Sequence, residues 1–190
     1  MEKRDRGAAV CLGFFDGVHL GHRALLSAAR EIARREGLSV CAHTFDVPPG
    51  GKGAPLTTLE ERIALLREAG ADTVAVSPFD DGMRRMPGDE FFRRIVLDEL
   101  NARHVICGDD HRFGYRGAWG AEELRALCGE AGIGLTVVPP VTLPDGSRIS
   151  TTALRAALQA GDFARAEEML GRPVPDALRR RFPSDEILNK

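Results

Sequence analysis

The stretch Gly13-Phe14-Phe15-Asp16-Gly17-Val18-His19-Leu20-Gly21-His22 follows a short apolar run, Ala8-Ala9-Val10-Cys11-Leu12, and precedes an amphipathic pattern that begins near Arg23. An apolar run of that length reads as a buried strand and the 3.6-residue pattern as a helix, so the decapeptide is a strand-to-helix turn. His19 and His22 stand three positions apart, which puts two imidazoles on one face of the first helical turn. Gly21 lies between them and carries no side chain, so a ligand can come close to the backbone. The unpaired N–H groups of a helix start favour an anion. Strand end, glycines, paired imidazoles and helix N-terminus together point to phosphate chemistry. Taken one at a time, the same residues also describe an Asp-Gly turn ahead of a surface helix with two histidines.

Outward from this turn, strand and helix patterns alternate. Strands are expected over residues 8–13, 38–45, 73–78, 104–108 and 135–138, and helices over 23–35, 57–69, 87–101 and 121–131. A helical pair, 150–160 and 163–170, follows around Gly161-Asp162. In the second helix Leu59, Ile63, Leu65 and Leu66 form the apolar side, Thr57 and Glu60 have capping-box spacing, and Gly70 ends it. The alternation implies an α/β fold: a Rossmann-like doubly wound parallel sheet of about five strands with C-terminal helices. Ligands of such sheets bind beyond the carboxyl ends of the strands. The loops 14–22, 46–55, 79–86, 109–118 and 139–148 should therefore hold the chemistry. Residues 1–173 read as one domain. Residues 174–190 read as a tail, a peripheral helix or partly disordered, with the basic run Arg179-Arg180-Arg181.

A chain of 190 residues, 43% of them hydrophobic, can bury one substantial core. Its formal net charge of −2 exerts no pull toward nucleic acid or acidic membranes. No apolar run approaches the length of a membrane span, and residues 1–6 mix acids with bases, unlike a signal peptide. The four cysteines, Cys11, Cys41, Cys107 and Cys128, form no CxxC pair, and three fall in expected strands. Reduced buried thiols in a cytoplasmic protein are the expectation.

Two further constellations follow strands. Arg148-Ile149-Ser150-Thr151-Thr152-Ala153-Leu154-Arg155 comes after the fifth. Ser150 suits an N-cap, and hydroxyls converge with backbone N–H groups at that helix start, Arg155 lying about a turn inward. The segment describes a phosphate cradle, or else an ordinary capped helix with an exposed arginine. Gly108-Asp109-Asp110-His111-Arg112-Phe113-Gly114 comes after the fourth strand. Its carboxylate, arginine and aromatic suit a polar, planar ligand; alternatively it is a polar turn with Phe113 tucked into the core. Zinc at His19 and His22 would need a third ligand, which His43, His104 and His111 are not spaced to supply.

In this order these residues resemble the FMN adenylyltransferase module of prokaryotic FAD synthetases, within the wider HxGH nucleotidyltransferase superfamily. The resemblance runs from about residue 10 to residue 173. Residues 13–22 are similar to the family element G-x-F-D-G-x-H-x-G-H, residues 108–114 to G-x-[DN]-F-x-F-G, and residues 148–155 to R-I-S-S-T-x-x-R. Leu56-Thr57-Thr58-Leu59-Glu60-Glu61 and Leu170-Gly171-Arg172-Pro173 also follow the family pattern. The resemblance implies an enzyme that makes FAD and pyrophosphate from ATP and FMN, the FMN phosphate attacking the ATP α-phosphorus in line. It assigns catalysis to His19, His22, Ser150 and Arg155. ATP would be held by Gly13, Phe14, Phe15, Asp16, Gly17, His19, Gly21, His22, Gly108, Ile149, Ser150, Thr151 and Arg155. The flavin would meet Phe45, Pro48, Asp110, Arg112 and Phe113. Mg2+ would arrive bridging ATP oxygens, with no protein ligand named. Small-molecule substrates, with no nucleic acid and no membrane, are the implied partners; no oligomeric state follows.

Three departures bear on this implication. The family's Phe-Asp-Pro-His-Pro is Phe45-Asp46-Val47-Pro48-Pro49 here, and His111 replaces an aromatic. Both changes fall on the acceptor side, so another phosphorylated acceptor, or flavin and nucleotide binding without turnover, are the alternatives. Bacterial members commonly continue into a β-barrel riboflavin kinase, and the 17 residues after Pro173 are too few for one. The expectation is an adenylyltransferase without its kinase, either standing alone or cut from a longer chain.

Overall fold

The computed structural model describes residues 7–50 and 54–182. Residues 1–6, Gly51 of the proline-glycine loop and the part of the tail from Pro183 onward lie outside them. The five apolar runs pair as one sheet of β1 (Ala8–Leu12), β2 (Ser39–Phe45), β3 (Thr73–Ser77), β4 (Ala102–Gly108) and β5 (Gly134–Val138). Every pairing is parallel and the order is β3-β2-β1-β4-β5. β1 is the central strand, and all five of its residues are buried. Its continuous apolar character follows, because helices cover both faces.

On one face lie α1 (Leu20–Glu36) and α2 (Leu59–Glu68), with Leu26 and Ala29 packed over Ala9 and Cys11. After β3 come α3 (Asp81–Arg85) and α4 (Gly88–Phe91), the latter running on as a π-helix over Phe92–Glu99. This stretch and α5 (Ala121–Ala131) cover the other face, where Phe92, Val96 and Leu124 meet Val10, Val105 and Cys107. A third cluster joins α6 (Thr151–Gln159), α7 (Phe163–Leu170) and α8 (Asp176–Arg181) around Leu154, Leu158 and Leu170. The winding reverses at β1: β2 and β3 step to one side, β4 and β5 to the other. Such a reversal leaves a crevice beyond the carboxyl ends of β1 and β4.

Element boundaries differ from the sequence expectation for identifiable reasons. α1 starts at Leu20 rather than residue 23, because His19 is its N-cap. The capping box of α2 is Thr58 with Glu61, one residue later than the expected Thr57 with Glu60. The Thr57 hydroxyl is engaged elsewhere, donating to Asp16 at 3.2 Å and accepting from Gly17 N–H at 3.3 Å. Leu66 is fully buried on α2 as expected, but Leu59, Ile63 and Leu65 are only half-buried. The other fully buried residue of that helix is Arg62.

In the tail, Val174 and Leu178 enter the third cluster, and Arg181 donates to the carbonyls of Pro55 (2.6 Å) and Leu56 (3.1 Å). Arg179 pairs with Glu167. All four cysteines are free and buried, and burial pushes the thiols up, Cys107 to about 11 and Cys128 to about 12. Among the described residues, no helix is long and apolar enough to cross a membrane.

Candidate active site

The β1–α1 turn is held in a conformation that side-chain-bearing residues rarely adopt. Phe15 has φ 59° and Val18, which is β-branched, φ 42°. Backbone of this kind persists only where its surroundings over-determine it. Here the ties come from distant parts of the chain. The buried Asp16 carboxylate accepts from Leu56 N–H at 2.8 Å and Thr57 N–H at 3.0 Å, and pairs with Arg155 at 3.3 Å. The Thr44 hydroxyl donates to Phe14 O at 2.8 Å. The Arg172 guanidinium donates to Gly17 O at 2.8 Å and Val18 O at 3.0 Å. Arg62 places its guanidinium 4.1 Å from the centre of the Phe14 ring and donates to Phe45 O at 2.6 Å.

The two imidazoles lie stacked, with ring centres 3.7 Å apart at 18°. His19 Nδ1 accepts from His22 N–H at 3.3 Å and so caps α1. Burial, helped by the Arg172 charge, holds the His19 imidazole down at about 4. Burial likewise holds His22 well below the ordinary value, His19 adding to the effect. Both rings are therefore neutral near neutral pH. With Nδ1 of His19 accepting, its proton sits on Nε2, which fixes that nitrogen as a donor. Gly21 serves this arrangement. A Cβ there would stand 3.0 Å from His19 Cε1 and 3.1 Å from Nδ1. The space that the sequence suggested for a ligand beside Gly21 is taken by the His19 ring.

Across from the histidines, Ser150 caps α6 by accepting from Ala153 N–H at 3.1 Å. Between the two helix starts opens a cleft of about 330 Å³. Its wall includes Gly13, Phe14, Phe15, His19, Gly21, His22, Gly108, Ile149, Ser150 and Thr151 of the expected nucleotide set, and Asp110 and Arg112 of the expected flavin set. Six expected residues stand outside that wall. Asp16 and Arg155 face each other behind it, and Gly17 packs near Leu154 and Leu56. Phe113 is 6% exposed, in the core with Phe91 and Trp119. Phe45 packs edge-on to Phe79 at 5.1 Å, and Pro48 lies in the β2–α2 loop. The cleft thus uses the loops after β1, β4 and β5. A separate hollow of about 450 Å³ lies after β3, with Ser77, Met83 and Glu90 in its wall.

Three arginines were not singled out as site residues in the sequence. Arg148 forks onto Asp109 at 2.5 and 3.1 Å and reaches Asp110 at 3.0 Å, joining two sides of the cleft. Arg62 shares the i, i+3, i+4 stripe with Leu59, Ile63 and Leu66, and that periodicity could have flagged it. Arg172 follows the Gly171 stop of α7, but nothing local joins it to residues 17 and 18. Chemically, two helix N-termini and two neutral ring donors converge on one cleft, which suits a multiply charged phosphate chain whose charge shifts during reaction.

Comparison with known proteins identifies the family. The FAD synthetase family model matches residues 1–153. A bifunctional riboflavin kinase/FMN adenylyltransferase of Pseudomonas fluorescens is 37% identical over 174 residues, covering 88% of this chain and 55% of that protein. The chain therefore spans about half the length of that relative. A putative bifunctional riboflavin kinase/FMN adenylyltransferase of Geobacillus thermodenitrificans is 34% identical, covering 88% of this chain and 92% of that protein. Among solved structures, a macrolide-efflux protein from Streptococcus pneumoniae superposes with a TM-score of 0.79 at 28% identity, over 90% of this chain and 57% of that one. With the matched model covering the sheet, the paired histidines and the start of α6, the chain belongs to the FAD synthetase family.

Proposed function

We propose that this chain is an FMN adenylyltransferase, making FAD and pyrophosphate from ATP and FMN. The observation that carries the reading is the stacked His19–His22 pair at the start of α1, facing the Ser150 cap of α6 across one cleft. An oxygen of the FMN phosphate attacks the ATP α-phosphorus, a new P–O–P link forms, and the bond to the β-phosphate breaks to release pyrophosphate. No covalent enzyme intermediate is needed, and positioning with electrostatics does the work. His19 Nε2–H donates to phosphate oxygens as their charge shifts, with His22 beside it. The N–H groups of the α6 start, with Ser150 and Thr151, receive the leaving pyrophosphate. Arg155 acts in this reading through Asp16, whose carboxylate also fixes the loop beneath the nucleotide. Asp110, Arg112 and His111 offer the acceptor a polar wall.

Magnesium would come with the ATP. Among the described residues no group of three or more His, Cys, Asp or Glu side chains stands ready to cage a cation. The cleft carboxylates Asp109 and Asp110 pair with Arg148. The test is incubation with ATP, FMN and Mg2+. Flavin fluorescence should fall as FAD forms, with one pyrophosphate released per FAD. Absence of pyrophosphate with FMN, alongside its release with a different phosphorylated acceptor, would keep the enzyme class and overturn the substrate.

A further inference from the structure

We infer that Arg172 is a positioning residue for the transfer reaction: its guanidinium fork clamps the carbonyls of Gly17 and Val18 and so sets the backbone that presents His19 to the cleft. Nη2 donates to Gly17 O at 2.8 Å, and Nη1 donates to Val18 O at 3.0 Å and to Leu170 O at 3.5 Å. All three partners are main-chain carbonyls, so the half-buried charge is spent on orientation. The two clamped peptides flank Val18, whose φ of 42° is unfavourable for a β-branched residue. The Val18 carbonyl belongs to the peptide that leads into His19, so its orientation fixes where the imidazole starts from. A planar, five-donor fork can hold two adjacent carbonyls at once, and an ammonium cannot do so with the same geometry.

The clamp also ties the site to the far end of the domain. Arg172 follows the α7 stop at Gly171 (φ 64°), which packs close against the Leu20 side chain. Docking of α7 on the first turn of α1 therefore sets where the guanidinium stands. Two charged or titratable groups bear on His19: His22, stacked on it from its own helix, and Arg172 from beyond α7. Arg155 of α6 is held by Asp16. Burial is the larger cause of the low His19 value and the Arg172 charge the smaller, so removing that charge moves the imidazole back toward its ordinary range.

The kinetic arm of the test rests on the transferase reading; the titration arm does not. Arg172→Gln removes the charge and the fork, and Arg172→Lys keeps the charge alone. With ATP, FMN and Mg2+, kcat should fall on the order of 10²-fold in Arg172→Gln and on the order of 10-fold in Arg172→Lys, with both KM values within about threefold of wild type. In the ligand-free proteins, the His19 ring proton resonance followed by NMR should titrate at higher pH in Arg172→Gln and at the wild-type position in Arg172→Lys. Circular dichroism establishes that each variant is folded. A folded Arg172→Gln with wild-type kcat, or with an unmoved His19 midpoint, overturns the inference. Should Arg172→Gln fail to fold, wild-type kcat in Arg172→Lys overturns it instead. A wild-type protein that releases no pyrophosphate defeats the transferase reading and leaves the His19 titration to decide the role of Arg172.

Discussion

A methyl group at position 21 would stand 3.0 Å from His19 Cε1 and 3.1 Å from Nδ1, so Gly21→Ala forces the ring to move by a few tenths of an ångström. Position 21 lies in the first turn of α1, where alanine favours the helix by about 0.5–1 kcal/mol over glycine. The substitution should therefore hold or raise the melting temperature while lowering kcat on the order of 10-fold. Parallel loss of stability and turnover would refute the assignment of that space to the ring. His19→Ala goes further and removes the donor and the α1 cap together. It should lower kcat by about 10²–10³-fold, with flavin affinity measured by fluorescence titration changed by no more than about threefold. An equal loss in both would point to a collapsed loop. The histidine pair was legible in the sequence because HxGH spacing at a strand end is local information. What Gly21 accommodates was not, since spacing alone cannot tell room for a ligand from room for a neighbouring side chain.

Asp16 joins three elements through one carboxylate: the β1–α1 turn that carries it, the entry to α2 through Leu56 and Thr57, and α6 through Arg155. Asp16→Ala would strand two buried N–H donors and leave Arg155, whose side chain is 25% exposed, without its partner. The expected cost is about 2–4 kcal/mol, read as a lower urea midpoint, with Asp16→Asn losing less because one acceptor oxygen remains. A loss under about 0.5 kcal/mol would show that the turn is held without it. At this scale the sequence was legible in part. The alternation of apolar runs and amphipathic patterns located every strand and the covering helices, because a short apolar run and a 3.6-residue period are both written locally. The start of α2 was misplaced by the same long-range tie that buries Asp16: Thr57 gives its hydroxyl to a residue 41 positions away, and Thr58 takes over the cap. Arg62 escaped for a related reason. Arginine reads as solvent-facing until its partners, Phe14 of the β1–α1 turn and Phe45 at the end of β2, are known.

Over the whole molecule, the doubly wound sheet brings His19, His22, His43 and His111 toward the carboxyl ends of the strands, where the site lies, and buries them wholly or in part. His19, His43 and His111 are each held down to about 4 and His22 well below 6.5, burial being the first cause in every case. His43 shows the pattern away from the cleft: it is 1% exposed and shares a hydrogen bond of 2.9 Å with Ser77. A group depressed on folding makes the folded state reluctant to take a proton that the unfolded chain accepts. Their joint contribution is therefore complete above an ordinary histidine value of 6.5 and is lost as pH falls from there toward about 4. Carboxylates act in a lower window. Glu36, Glu123 and Glu167 are held below their ordinary 4.5 by hydrogen bonds to arginine or backbone groups, so what they add is lost only below that value. The two classes separate on the pH axis. Melting temperature should already decline between about pH 6.5 and about pH 5, where carboxylates remain ionised and only histidines respond. Replacing His43, the member of the set that lies off the cleft, by asparagine should flatten part of that decline and leave the steeper loss below about pH 4.5 in place. A melting temperature that stays level to about pH 5 and then drops would assign the acid limit to carboxylates alone, and would mean that the buried imidazoles reach protons more easily than their packing implies.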